Sequence, residues 1–186
     1  MFPVIGSRVV YDGKWRVRVD TLDLGPEGTL EKAYVQHPGA VVIVPLLEAE
    51  DSAAQVLMLV QYRHALRQSI LELPAGTREG DEPWAICAQR ELREETGYAA
   101  GELVSLGEVW AAPGVSDERM AIFLARGLRH APLSGDADEQ IVVEPRPLAD
   151  LVAMALDGAL DDAKSVVAVL RAAHFLDPAA GVKLTR

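Results

Sequence analysis

Hydrophobic and polar positions change rhythm several times along this chain. Residues 8–35 mix charges with β-branched and aromatic side chains, as VVYDGKWRVRVDTLDL and TLEKAYVQ on either side of Gly25-Pro26-Glu27-Gly28. That pattern predicts an N-terminal β unit folded at a GPEG turn, with Trp15 on a charge-rich strand. His37-Pro38-Gly39 separates it from AVVIVPLLE, a continuous apolar run suited to a buried strand. Asp51-Ser52 marks a loop, and QVLMLVQYR reads as the next strand, ending at Arg63. ILELPAG reads as a strand end turning sharply into a loop. MAIFLARGL is a later strand, SGDADEQ a loop and IVVEPRPL a last strand. DLVAMALDGAL and SVVAVLRAAHFL then return to helical spacing. The division falls after Pro38, giving an N-terminal β unit at residues 1–38 and a main domain at residues 39–186. Strands combined with two or three helices predict an α/β fold, a mixed sheet between helical layers.

Between the strands lies GTREGDEPWAICAQRELREETGY, Gly76 to Tyr98. Pro83 suits a first helical turn, and Asp81 and Glu82 favour that positive end. Gly97 suits the C-terminal end. Within the helix Glu91 and Glu95 are four apart and share a face, and Arg90 can pair with Glu94 on the adjoining one. Ala85, Ala88 and Leu92 recur at a spacing that suits packing on a sheet. Carboxylates gathered this closely repel and call for a cation. Hard oxygen ligands point to Mg²⁺ or Mn²⁺. A glycine at 76 allows the backbone to come close to a ligand.

Charge and composition narrow the choice further. The 186 residues carry a net charge of −10, with 18 Lys and Arg against 28 Asp and Glu. That argues against general nucleic-acid binding, which needs a basic stripe. It also means that any anionic substrate must be met by local cations that reverse the overall field. The single cysteine, Cys87, excludes an internal disulfide and is expected to pack inside the helix rather than act as a nucleophile. No apolar run is long enough to span a bilayer, and MFPVIGSR lacks a signal-peptide plan, so a cytoplasmic protein is expected.

The spacing of Gly76, Glu82, Arg90, Glu91, Leu92, Glu94, Glu95 and Gly97 resembles the Nudix box, G-x5-E-x7-R-E-U-x-E-E-x-G-U, in which U is bulky and apolar. Tyr98 stands at the last U as an aromatic substitute. The resemblance implies an α/β/α sandwich and a metal-dependent pyrophosphohydrolase acting on a nucleoside diphosphate linked to another group. VQYRHALRQSILELPAG, and Pro113 sixteen residues beyond Gly97, resemble the ADP-ribose pyrophosphatase branch. From that branch the implied metal ligands are the Ala75 carbonyl, Glu91, Glu95 and Glu139, binding Mg²⁺ or Mn²⁺. Arg90 is implied to orient the carboxylates. The implied proton-accepting carboxylates are Glu94 and Glu139; Asp136 and Asp138 share the latter's loop, so the base there stays open. Implied substrate contacts are Trp15, Glu31, Arg63, Thr77, Pro113 and Gly114. Trp15 would stack on the base and Arg63 would hold phosphate oxygens. Ala112 stands where relatives often carry an aspartate, which removes one side-chain contact. The products from ADP-ribose would be AMP and ribose 5-phosphate. A homodimer sharing its N-terminal strands is also implied, with no nucleic acid and no membrane as partner. The alternatives are a Nudix hydrolase for a different nucleotide sugar, and a Nudix-fold ligand sensor without turnover. Retention of all the box glutamates speaks against the sensor.

Overall fold

The computed structural model describes residues 1–13, 15–49, 52–135 and 140–178. Strands β1 (Val4–Asp12), β2 (Arg16–Asp23) and β3 (Thr29–Gln36) form an antiparallel sheet in the order β1-β2-β3. The expected two-part unit thus gains a strand, because the β-branched residues from Val4 onward pair along β2. The GPEG turn is a short 3-10 turn, with Gly25 at φ 65° and Gly28 at φ 97°, a region glycine enters at no steric cost. Trp15 is not on a strand; it ends the β1–β2 connection, one residue before β2.

The main sheet begins with β4 (Ala40–Ala49) and β5 (Ser52–Arg63), followed by β6 (Gln68–Glu72) and β7 (Ala75–Thr77). Helix α1 (Trp84–Thr96) leads to β8 (Tyr98–Ala99), β9 (Glu102–Trp110), β10 (Arg119–Arg126) and β11 (Arg129–His130). The described chain then runs through β12 (Ile141–Pro147), α2 (Leu148–Asp157) and α3 (Ala163–Leu176). The strand order is β12-β5-β4-β10-β9, with β6 added to β5 and β7 to β4. β10 runs parallel to β4 and the other pairings are antiparallel, so the sheet is mixed as expected.

Strand alternation explains the layers. Ala40, Val42, Val44 and Leu46 of β4 pack with Leu151 of α2 and Ala168, Val169 and Ala172 of α3. Val41 and Ile43 point the other way, onto Cys87, Ala88 and Leu92 of α1. A strand covered on both faces must be apolar at every position, which is why AVVIV shows no alternation in sequence. Ala85 does not join this contact. It is exposed, and Cys87 takes part in its place, because the helix turns its Ala88–Leu92 stripe to the sheet.

Two features of this frame create a cleft. β4 pairs with β7 at Ala40–Val42 but with β5 only from Leu46 onward, while β6 stays with β5. Leu73 and Pro74 carry the chain across that gap, leaving Glu72 on one side and Gly76 on the other. The N-terminal sheet docks beside it through β3. The Val35 N–H donates to the Val115 carbonyl at 2.8 Å, and the His37 N–H donates to Asp117 Oδ1 at 2.7 Å.

Candidate active site

Helix α1 starts after Pro83, which serves as N-cap in an extended conformation rather than within the first turn, and ends at Gly97 with φ 79°. The intervening acidic residues are gathered by one guanidinium. Arg90 donates to both oxygens of Glu82 at 3.2 and 3.1 Å, to Glu91 Oε1 at 2.8 Å, to Glu94 Oε2 at 3.0 Å and to the Thr77 carbonyl at 3.1 Å. Glu82 is consequently held below the usual carboxylate range, chiefly by its hydrogen bonds from Arg90. The Arg90 guanidinium is held above its ordinary value, first by the hydrogen bond to Glu82. Cys87 is fully buried beneath, and burial pushes its thiol up to about 12, which suits packing and not nucleophilic attack.

Glu91 and Glu95 are both buried, at 9% and 7% exposure. Glu95 Oε2 accepts the Ala75 N–H at 2.8 Å. Gly76 lies against the other carboxylate: a Cβ built there would fall 1.8 Å from Glu91 Cδ and 2.0 Å from its Oε1. Glycine is thus required at 76 for space. β7 and α1 press two carboxylates and a peptide strand together, a hard-oxygen donor set that fits a divalent cation. Among the described residues no three His, Cys, Asp or Glu side chains converge on such a point. The two carboxylates that β7 meets are Glu91, beside Gly76, and Glu95, on the Ala75 N–H.

The cleft of about 350 Å³ is lined by Gly76 and Thr77 on this side and by Arg63, Glu72 and Lys164 on the other, with Trp15 at its N-terminal wall. Arg63 donates from Nε and Nη2 to the two oxygens of Glu72, each at 2.8 Å. Burial acts to lower the Arg63 pKa, but Glu72, with Glu95 and Asp162 nearby, wins and holds it raised. Glu72 is fully buried. Trp15 stacks on His37 at 4.8 Å between ring centroids and 25° between planes. His37 Nδ1 accepts the Gly39 N–H at 3.0 Å, and its Nε2 lies 3.6 Å from Glu118 Oε1.

The expected site residues separate into three groups. Glu91 and Glu94 meet on Arg90, Glu95 meets the Ala75 N–H, and Trp15, Arg63, Ala75 and Thr77 line the adjoining cleft. Pro113 and Gly114 are exposed and do not line that cleft, although Ala111 of the same loop does. Glu31 is paired with Arg8 at 3.1 Å on the exposed N-terminal sheet, away from the cleft of its own chain. Glu139, Asp136 and Asp138 lie outside the described residues. The segment leading to them is fixed to α1, since Arg93 Nε donates to the Ala131 carbonyl at 2.8 Å and the Leu133 N–H to the Arg93 carbonyl at 3.2 Å.

Sequence reasoning overlooked His37, Glu72, Glu118, Asp162 and Lys164, all of which line the cleft. One local signal was available. Asp162 followed by Ser165 is an N-cap pattern, and Asp162 does cap α3 through the Ser165 N–H.

Residues 36–169 match the family profile described as the NUDIX domain. A methanol dehydrogenase activator of Bacillus methanolicus is 33% identical, covering 89% of this chain and 86% of its own. An ADP-ribose pyrophosphatase of Mycobacterium tuberculosis is 32% identical, covering 91% and 82%. A GDP-mannose pyrophosphatase of Citrobacter koseri is 37% identical, covering 88% and 91%. A crystal structure of an ADP compounds hydrolase shares the fold, with a TM-score of 0.77, 24% identity and 95% coverage of both chains. Hydrolases of this profile generally need divalent metal ions. No helix among the described residues is long and apolar enough to cross a membrane.

Proposed function

The chain belongs to the Nudix family of hydrolases, and from that premise we propose that it hydrolyses the diphosphate bond of ADP-ribose to AMP and ribose 5-phosphate. The observation that carries this reading is that β7 holds Glu91 at Gly76 and Glu95 at the Ala75 N–H, beside a cleft that β7 shares with Arg63. Glu91, Glu95 and the Ala75 carbonyl would hold Mg²⁺, with Mn²⁺ as a substitute, and Glu139 would complete the set. When bound, the ion supplies charge neutralisation of the diphosphate and a lowered pKa for water.

The chain's own residues supply the rest. Arg90 keeps the glutamates apart and aligned while they carry negative charge. Glu94 or Glu139 accepts the proton of the attacking water. Water attacks one phosphorus in line, and the bond to the bridging oxygen breaks. Arg63 still has N–H donors beyond those given to Glu72 and directs them to phosphate oxygens. Trp15 supports the base and Thr77 contacts the substrate from the same cleft, while Glu31, Pro113 and Gly114, outside the cleft of their own chain, would reach substrate only in the dimer. We further infer a cytoplasmic homodimer in which residues 1–38 serve association and substrate contact.

The similarity to GDP-mannose pyrophosphatases favours a second reading, in which a GDP-sugar is preferred over ADP-ribose. A panel of ADP-ribose, GDP-mannose, other nucleotide sugars and nucleoside triphosphates, assayed with Mg²⁺, decides. ADP-ribose is expected to have the highest kcat/KM. A higher value for GDP-mannose moves the assignment to the second reading, and one for triphosphates removes both. Glu95→Gln is expected to lower turnover by orders of magnitude with the fold intact. Near-normal activity in that variant would refute the metal assignment.

A further inference from the structure

Lys164 stands at the second position of α3, and its ammonium group donates to Glu72 Oε2 at 2.5 Å and to Asp162 Oδ2 at 2.8 Å. Each acid has other donors as well. Glu72 already receives two hydrogen bonds from Arg63, and Asp162 receives the Ser165 N–H and hydroxyl. An ammonium carries three donors, so the two bonds leave one to spend. The lysine is also held where it can be spent. Its helix start is bonded to the strand end, through the Leu73 N–H and Ser165 Oγ at 2.7 Å, and its side chain lines the same cleft as Arg63, Gly76 and Thr77. A chain with a net charge of −10 needs such a cation where a diphosphate enters.

We propose that Lys164 is a second cationic ligand of the substrate's diphosphate, acting beside Arg63 across the shared carboxylate of Glu72. The inference rests on the diphosphate reading given above. Arg63 offers a planar fork and Lys164 a point charge, and they come from β5 and α3, so the two cations approach the anion from different elements.

The test uses Lys164→Met, which keeps the aliphatic stem, and the double variant Lys164→Met with Asp162→Asn. The second removes one positive and one negative charge, and asparagine still caps the helix. In Lys164→Met, KM for the diphosphate substrate is expected to rise about tenfold to a hundredfold, the loss of one charge-assisted hydrogen bond. Inhibition by inorganic pyrophosphate should weaken by a similar factor, and inhibition by adenosine should not change. The double variant should keep the defect. A double variant with wild-type KM would mean that Lys164 only balances charge, and the proposal falls. It also falls if KM is unchanged in the single variant, or if pyrophosphate and adenosine weaken alike. Should the wild-type protein cleave no nucleoside diphosphate derivative, the reading of function fails by itself. Pyrophosphate binding by wild type and Lys164→Met, measured by calorimetry with melting temperatures as a folding control, then decides the role of Lys164 alone.

Discussion

Single residues here act by position as much as by chemistry. Gly76 carries no functional group, yet any side chain at that position would enter the space of the Glu91 carboxylate. The contact is with the far end of a flexible side chain, so Gly76→Ala should fold while displacing Glu91. We expect a melting temperature near wild type, a kcat about a hundredfold lower and a higher metal requirement, in line with the cost of misplacing a catalytic group by an ångström. Full activity in Gly76→Ala would show that Glu91 can shift without loss. Arg90 makes the opposite point. The sequence suggested one pairing, with Glu94, and the structure adds Glu82, Glu91 and the Thr77 carbonyl. A pairing four residues apart on a helix has a local signature. One that closes over eight residues, from Arg90 back to Glu82, depends on how the loop before the helix folds.

At the scale of elements, α1 and its leading loop form one electrostatic unit. Glu82 precedes the helix and its carboxyl is held below the ordinary value of 4.5, first by the hydrogen bond from Arg90. A lowered folded pKa stabilises the folded state above the unfolded value, and that stability is lost as pH falls through the folded value. Glu82→Gln should therefore be less stable than wild type at neutral pH and should lose stability less steeply as the medium is acidified below about 4.5. Chemical denaturation at a series of pH values measures this, and parallel stability curves for the two proteins would rule out the linkage. The edges of the elements were harder to read than their existence. Ala85 has the spacing of a packed residue but sits in the first turn, before the helix reaches the sheet, and remains exposed. The N-terminal β1 was partly missed, because a strand exposed along nearly all its length shows no burial rhythm.

At the scale of the whole molecule, the described residues form two larger sheets and the small β8–β11 pair, and Phe2, with Val4, Ile5, Val9, Val10 and Tyr11 of β1, faces solvent. An apolar edge of this kind is the expected seat of a second copy, since twofold dimers are the commonest closed assemblies. Light scattering should give a dimer, and a monomer at working concentration would refute the shared assembly. Trp15 lines the cleft of its own chain, supported by His37, so it reaches this cleft without strand exchange. Trp15→Ala should raise KM for ADP-ribose by about tenfold to a hundredfold, taking the worth of one base stacked on an aromatic ring as the guide. It should affect kcat less, because the base is remote from the breaking bond; an unchanged KM would remove the stacking role even in a confirmed dimer. The sequence by itself determined the box, the apolar strand that anchors both layers and the acidic face of α1, because each is written in spacings within one continuous stretch of chain. Only the tertiary structure decided that Arg63 shares Glu72 with Lys164, 92 residues beyond that glutamate, and that His37 lies beside Glu118. Those contacts follow from where β5 parts from β4 and where α3 begins, and no periodicity in the chain encodes a distance across that gap.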